Sequence, residues 1–571
     1  MSTENCFLGV CFTPLDVSGP TLFRFSEFLA GLALMVLAWT IADVRYRFRV
    51  RVAPIPLQRL TFFIVAAIGG LTLLTDLWRA EQWLVPQGIL LTPATWQAIL
   101  AGLFLFTFLA WAWFAFIKPP KYGKRNAERF AQTLYRFILK GAATELAVIA
   151  DELTYSARSL VRHASDRDPI RHFHEDNSVS EPAPPKVEAY ANDLLLLIAN
   201  KRFCRVIVES SPITALAIFQ EIGASKKYGI QVEIFAKNIV SEAINSKDSF
   251  LYNEAEAYES GLIGHHKPLS QAIFANHSMV SIIRTPLDPD VIGSMKWDAD
   301  QFEAYCRVVL ITLQDYVENH FREHSSVLYG TKRYIEHALF DLYKLNGVAG
   351  ITWEGDIISR LRVIVEFIWK ATEVLDKKGV PEGLTLRVRE NSTPARESFY
   401  DLLASMVFEV IFASSNVKSP RWECWVIQHN SVWGELFNLG HLNNSAGRVV
   451  MFKVRRLLYN EVVNMKKFPN FKGAKILGFC LNVMGLNLRR GNYDKESRAL
   501  HKAILSWTKK NYAWLYEYTP RVAEDCLVDS LSYDHNNLKI VKTFPAEGLR
   551  LEPQYDCLDI DPSLADERAT R

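Results

Sequence analysis

Three apolar runs close to the N-terminus, followed by a much longer stretch of mixed helix and strand patterning, predict an integral membrane protein. The predicted fold class is three N-terminal transmembrane α-helices followed by a predominantly helical α/β (α+β) cytosolic domain. Two observations carry the membrane part: the length of the apolar runs, and the basic clusters that follow the first and the third of them. The third is the period of the remainder, which is mostly helical with short β-branched runs between.

The first apolar run covers residues 28–42, with residues 21–27 adding two turns in which Arg24 and Glu27 lie three apart. Charges at a helix end cost little, whereas at mid-bilayer each costs about 2.5 to 3.5 kcal/mol. The second run is 60–77, closed by Asp76 and Trp78, and the third is 96–117, 22 residues without a charge. Trp96, Trp111 and Trp113 fit an aromatic belt. A cleaved leader is not expected, because residues 1–23 contain no Lys or Arg. No ionisable residue sits in the middle of a run, so a proton or ion relay lacks its usual groups.

Orientation follows from charge. Arg45, Arg47, Arg49, Arg51 and Arg59 crowd the first connection, while residues 78–95 hold only Arg79 against Glu81. Lys118, Lys121, Lys124 and Arg125 follow the third run. The positive-inside rule places both clusters in the cytoplasm, so the N-terminus lies outside. A multi-pass protein of the cell inner (plasma) membrane is the expected location. Small residues recur four apart at Ala66 and Gly70, and at Ala98 and Gly102. Such pairs let helices approach closely, either within the chain or between copies.

The expected organisation is a tail at 1–20, a three-helix membrane domain at 21–117 and a long juxtamembrane helix at 118–164. A linker at 165–186, a cytosolic α/β domain at 187–553 with room for two subdomains, and an acidic tail at 554–571 complete it. Residues 126–164 read as one helix, with Leu139, Leu146, Leu153 and Leu160 seven apart, as a packed helix or a coiled-coil stalk presents them. Residues 165–186 contain Pro169, Pro182, Pro184 and Pro185, with His172, His174, Glu175 and Asp176 among them. A helix over 187–199, a strand over 203–209, a helix over 213–222 and a strand over 230–236 then suggest an α/β start. Helices follow over 298–324, 332–345, 356–376, 397–413 and 494–518, with strands over 383–389 and 538–544. Resemblance between the stretches from Arg202 and Arg421 hints at duplication.

Composition narrows the function. A net charge of +3 over 571 residues does not suggest a nucleic-acid coat, although residues 453–475 are locally basic with aromatics between. That stretch reads as a solvated helix face, with a contact for anionic lipid headgroups or nucleic acid as the alternative. Eight cysteines form no CxxC pair, and only Cys6 and Cys11 fall on the outer side. Gly-rich phosphate loops, dinucleotide fingerprints and G-x-S-x-G elbows are absent from the sequence.

His320, Glu323 and His324 form H-x-x-E-H, in which histidines at i and i+4 share a helix face and a carboxylate can activate metal-bound water. The motif resembles the zinc site of pitrilysin-type peptidases, and Gly330, Thr331, Lys332 and Tyr334 extend the likeness to fifteen residues. The resemblance implies zinc on His320 and His324, with Glu397 as a third ligand. The context departs from that family, whose motif follows a strand in a duplicated α/β domain, whereas a helical period precedes it here. The plainer reading is the polar end of an amphipathic helix, with no metal or cofactor.

The expectation is therefore a membrane-anchored cytosolic sensor or effector, of which a bacterial defence effector of the abortive-infection type, acting on the inner membrane, is one concrete form. Its partners would be the lipid bilayer, further copies of itself, and a cytosolic protein or inhibitor. The alternative is a membrane-bound zinc peptidase.

Overall fold

The structure is a computed structural model that describes residues 5–7, 10–14, 21–41, 43–86, 92–166, 185–259, 268–320, 324–381, 398–438, 442–488, 495–546 and 552–562. It is mostly helical and divides into two compact units, Met1–Phe250 and Leu251–Arg571. The strand expected at 383–389, Glu323 and Glu397, and nearly all of the linker lie outside the described residues, as do residues 563–571 of the acidic tail.

In the first unit, β1 (Asn5–Phe7) and β2 (Val10–Pro14) pair antiparallel, and β2 pairs with β3 (Leu84–Pro86). The apolar helices are α1 (Phe25–Ile41), α3 (Leu57–Ala80) and α4 (Pro93–Ala112), the last continuing as a π-helix to Ile117. At 1.5 Å per residue α3 is about 36 Å long, enough to cross a bilayer. The 25-residue helix Pro93–Ile117 is long and apolar enough as well, while α1 is shorter, at 17 residues.

α1 begins later than the sequence suggests. Residues 21–24 are not helical: the Leu22 amide donates to Gln97 Oε1 (2.9 Å), and the Phe25 amide donates to Asp76 Oδ2 (2.9 Å). Glu27 accepts from the Arg24 backbone amide (2.8 Å). The start of α1 therefore lies beside the end of α3 and the start of α4, and near its other end Trp39 packs on Trp111. Between these levels Phe28 and Met35 are buried against Val65 and Ile68. A Cβ on Gly69 would stand 2.7 Å from the Phe28 ring, and one on Gly31 would stand 2.9 Å from Phe104. Those two glycines, rather than the pairs singled out by spacing, permit the close approach.

The arginine-rich segment is not a loop. It forms α2 (Val44–Val52), capped by Asp43. The stretch expected as one long helix is two, α5 (Ala127–Lys140) and α6 (Ala143–His163). The break falls at Gly141, where a Cβ would lie 2.6 Å from the Phe137 carbonyl oxygen, and Glu145 caps the new start by accepting from the Ala142 amide (3.2 Å). Leu146, Leu153 and Leu160 are fully buried in α6 while Leu139 is exposed on α5, so the leucines serve a packed helix and not a stalk.

Among the described residues this unit also contains α7 (Lys186–Ile198), α8 (Lys201–Ser210), α9 (Pro212–Ser225) and α10 (Glu233–Asn245). The strands expected over 203–209 and 230–236 are thus corrected to helix. Asn200 caps α8 by accepting from the Phe203 amide (3.2 Å), and Phe203, Cys204, Ile207 and Val208 form a helical i, i+4 face that is buried. Their β-branched character gives way to that packing.

In the second unit, α11 (Pro268–Phe274) and α12 (His277–Ile283) precede α13 (Ala299–Asp315), which continues as a π-helix over Tyr316–His320. Then come α14 (Ser326–Leu339), α15 (Asp356–Lys378) and α16 (Phe399–Ser414). Asp298 and Ser398 close capping boxes with Gln301 and Asp401, fixing the starts of α13 and α16. The next segment is α17 (Arg421–Trp425), extended by a π-helix to Asn438. It is followed by α18 (Ser445–Asn464), α19 (Phe471–Met484) and α20 (Lys495–Tyr518). α13 packs on α15, and α16 on α18, around buried Tyr305, Tyr334, Tyr400 and Trp433. Both segments of the suspected duplication are helical. The strand expected over 538–544 forms as β5 (Lys539–Phe544), the centre of an antiparallel sheet with β4 (Leu531–Asp534) and β6 (Gln554–Asp559).

Candidate functional site

A pocket of 720 Å³ opens in the second unit between α17, α19 and the β4–β5–β6 sheet, within the size range of small-molecule sites. Its centre is Lys542. Strand alternation puts Lys542 on the same face of β5 as Ile540, and it is 3 % exposed. Burying an ammonium is costly unless it is paired. Here Nζ donates to the Asn482 carbonyl and lies 4.8 Å from the Trp425 ring and 5.3 Å from Phe544, so aromatic faces carry part of the compensation. Asn482 is itself fixed: its Nδ2 donates to Gln428 Oε1 (3.0 Å), and its Oδ1 accepts from Ser530 Oγ (3.1 Å). Glu423, on the same wall, is buried and accepts from the Gly350 amide (2.7 Å).

Trp422 at the pocket edge is 65 % exposed. His429 stacks on Trp425 with ring centroids 3.9 Å apart, and burial lowers its pKa, keeping it neutral. Cys424 donates no chemistry, because burial pushes its thiol up to about 12. The pocket thus offers a held cation, aromatic faces and ordered polar groups, an arrangement for binding a small polar or aromatic ligand. Sequence reading did not single it out. The available signal was Lys542 in phase with Ile540 in an otherwise apolar alternation.

The first unit contains a second constellation. On α2, Arg49 Nε and Nη2 donate to Glu152 Oε2 and Oε1 of α6, each at 2.7 Å, and Nη1 donates to the Ala115 carbonyl (3.1 Å). Arg45 pairs with Asp151 (2.8 Å) and reaches Glu152 (3.3 Å). The Asn126 side chain donates to the Val52 carbonyl (2.7 Å), and Arg129 to the Pro54 carbonyl (2.7 Å). The end of the last apolar helix, the arginine helix and the helical body below are therefore tied at one joint.

Of the metal candidates, His320 ends its helical stretch and shares a hydrogen bond with Ser278 Oγ (3.3 Å). Its ring packs beside buried His277, at 5.1 Å between centroids. His324 lies in non-helical chain and stacks on Tyr329 (4.6 Å). The single helix face assumed from the i, i+4 spacing is not formed. Among the described residues no group of three or more His, Cys, Asp and Glu is arranged to hold a metal ion. In the basic stretch, Lys453 pairs with Asp401 (2.6 Å), Lys472 with Glu409 (3.0 Å), and Lys475 donates to Asn416 (2.6 Å). Lys466, Lys467 and Phe468 stand exposed at the turn between α18 and α19. Ala66, Gly70, Ala98 and Gly102 are all exposed on the single chain.

No protein-family model, curated protein or solved structure matches the chain.

Proposed function

We propose that the protein is a membrane-anchored cytosolic sensor and effector. In this reading α1, α3 and α4 each cross the inner membrane, the N-terminus is outside, and both helical bodies are cytoplasmic. The observation that carries it is the joint at Arg49. A merely tethered domain needs no buried ion pair at its anchor, whereas a domain that acts on the membrane needs a stiff connection to the helices. The β2–β3 pairing supports three crossings, because it requires the N-terminal tail and the α3–α4 connection to share one side. The side-by-side levels of Phe25 with Asp76 and Trp39 with Trp111 support them too.

The pocket around Lys542 is the proposed sensing site, and the membrane helices are the output. The concrete form is a bacterial defence effector that compromises the inner membrane when triggered. The peptidase alternative loses the helix-face geometry on which it rested.

The test is induction of the full-length protein in bacteria, with and without phage challenge, scored by a potential-sensitive dye and by growth. Depolarisation with growth arrest is expected. Trp422→Ala, at an exposed position, should keep the protein in the membrane while abolishing the triggered response. If the wild-type protein never alters potential or growth under either condition, the effector reading is overturned.

A further inference from the structure

The two faces of α2 are used differently. At about 100° per residue, positions four apart share a face and positions two apart oppose one another. Arg45 and Arg49 face Asp151 and Glu152. Arg47 and Arg51 therefore project to the other side, where both are exposed, and among the described residues neither side chain has an ion-pair partner. They line a pocket of 160 Å³ together with Gln58, Tyr46, Trp39 and Trp111. The pocket is formed by the end of α1, the arginine helix, the first turn of α3 and the last turn of α4. Among the described residues no carboxylate lines it.

We infer that this pocket binds the phosphate of an anionic phospholipid headgroup in the cytoplasmic leaflet. The inference rests on the membrane reading given above. Two guanidinium groups on one face and a side-chain amide match the charge and acceptor oxygens of a phosphate. Trp39 and Trp111, near the ends of apolar helices, mark the depth at which headgroups lie. The volume is well below the 300 to 1,000 Å³ that encloses a drug-sized ligand. It suits a headgroup whose acyl chains remain outside, along the apolar helices. Basic pockets between membrane helices on the cytoplasmic side recognise anionic lipids in this way.

The experiment is native mass spectrometry of the full-length protein in detergent, titrated with phosphatidylglycerol or phosphatidylcholine. Wild type should retain phosphatidylglycerol in preference. R47Q/R51Q, altered at two exposed positions, should lose about thirtyfold in that retention, the size expected for two basic contacts to an anionic lipid. R59Q, outside the pocket, should keep it. An equal loss in R59Q would mean that general charge is responsible and would overturn the site. Full displacement of the lipid by millimolar inorganic phosphate would assign the pocket to free phosphate and overturn the lipid. Alkaline carbonate extraction of cell membranes separates the two levels of failure. Release of wild type into the soluble fraction removes the membrane reading, whereas integral protein without lipid preference removes the headgroup site alone.

Discussion

Arg49 and Glu152, 103 residues apart in sequence, meet through two parallel hydrogen bonds of 2.7 Å, with both side chains less than one tenth exposed. The third guanidinium donor goes to Ala115 at the π-helical end of α4. One side chain thus connects the arginine helix, the last apolar helix and α6.

A buried pair of this kind adds little over an apolar pair of equal volume, but breaking it strands a charge. Glu152→Gln should cost about 3 to 5 kcal/mol, because the buried guanidinium loses its counter-charge. Replacing both partners, Arg49→Met with Glu152→Leu, should recover most of the loss. Thermal unfolding in detergent reads both variants. A single variant as stable as wild type would show that water reaches the joint.

Topology is open to a direct check. A reporter active only outside the cytoplasm should be silent when fused after Tyr122 and active after Val85, which lies in β3. The reverse pattern would invert every compartment argument.

Stability should fall with acid through the buried histidines of the second unit. His501 is 7 % exposed and hydrogen-bonded to the Gly485 carbonyl (2.9 Å), and burial lowers its pKa; the same cause lowers that of His429. With folded values below the unfolded value of about 6.5, the unfolded chain binds protons first as pH drops. Stability is therefore whole above about pH 6.5 and declines below it. Melting temperatures between pH 8 and pH 5 should show this decline, and His501→Gln should flatten it. A midpoint that rises on acidification would contradict the assignment.

The sequence made the apolar runs and most helix positions legible, because length and period are local properties. Asp298 and Ser398 announce their helices through capping residues three positions on. What stayed hidden depends on distant partners. The arginine segment alternates basic and apolar residues, a period of two that hides the helical pair Phe48 and Val52, both buried, with Phe48 packed on Phe130 and Phe137. Its remaining order comes from Glu152, which sits between Ile149 and Leu153 in the buried seam of α6. Residues 203–209 carry strand-like side chains, yet their spacing also fits a helix, and packing on both sides decided it. Lys542 looks like a surface lysine until Trp425 and Phe544 close over it.

The last prediction concerns association. A Cβ added at Gly70 or Gly102 meets no atom within 4 Å, whereas one at Gly69 meets the Phe28 ring at 2.7 Å. With Ala66 and Ala98 exposed beside them, the two small-residue pairs do not serve packing within the chain, so they face either lipid or another copy. Small residues allow the backbone contact that drives helix association in lipid, where hydrophobicity itself gives no driving force. Gly70→Leu with Gly102→Leu should leave insertion and monomer stability intact, since nothing is displaced, while weakening any oligomer in mild detergent. Gly69→Leu should instead destabilise the helix bundle itself, which separates a folding defect from an assembly defect. If the doubly substituted protein keeps its oligomer mass and its effect on membrane potential, the pairs face lipid. Assembly would then have to be sought through the helices outside the apolar bundle.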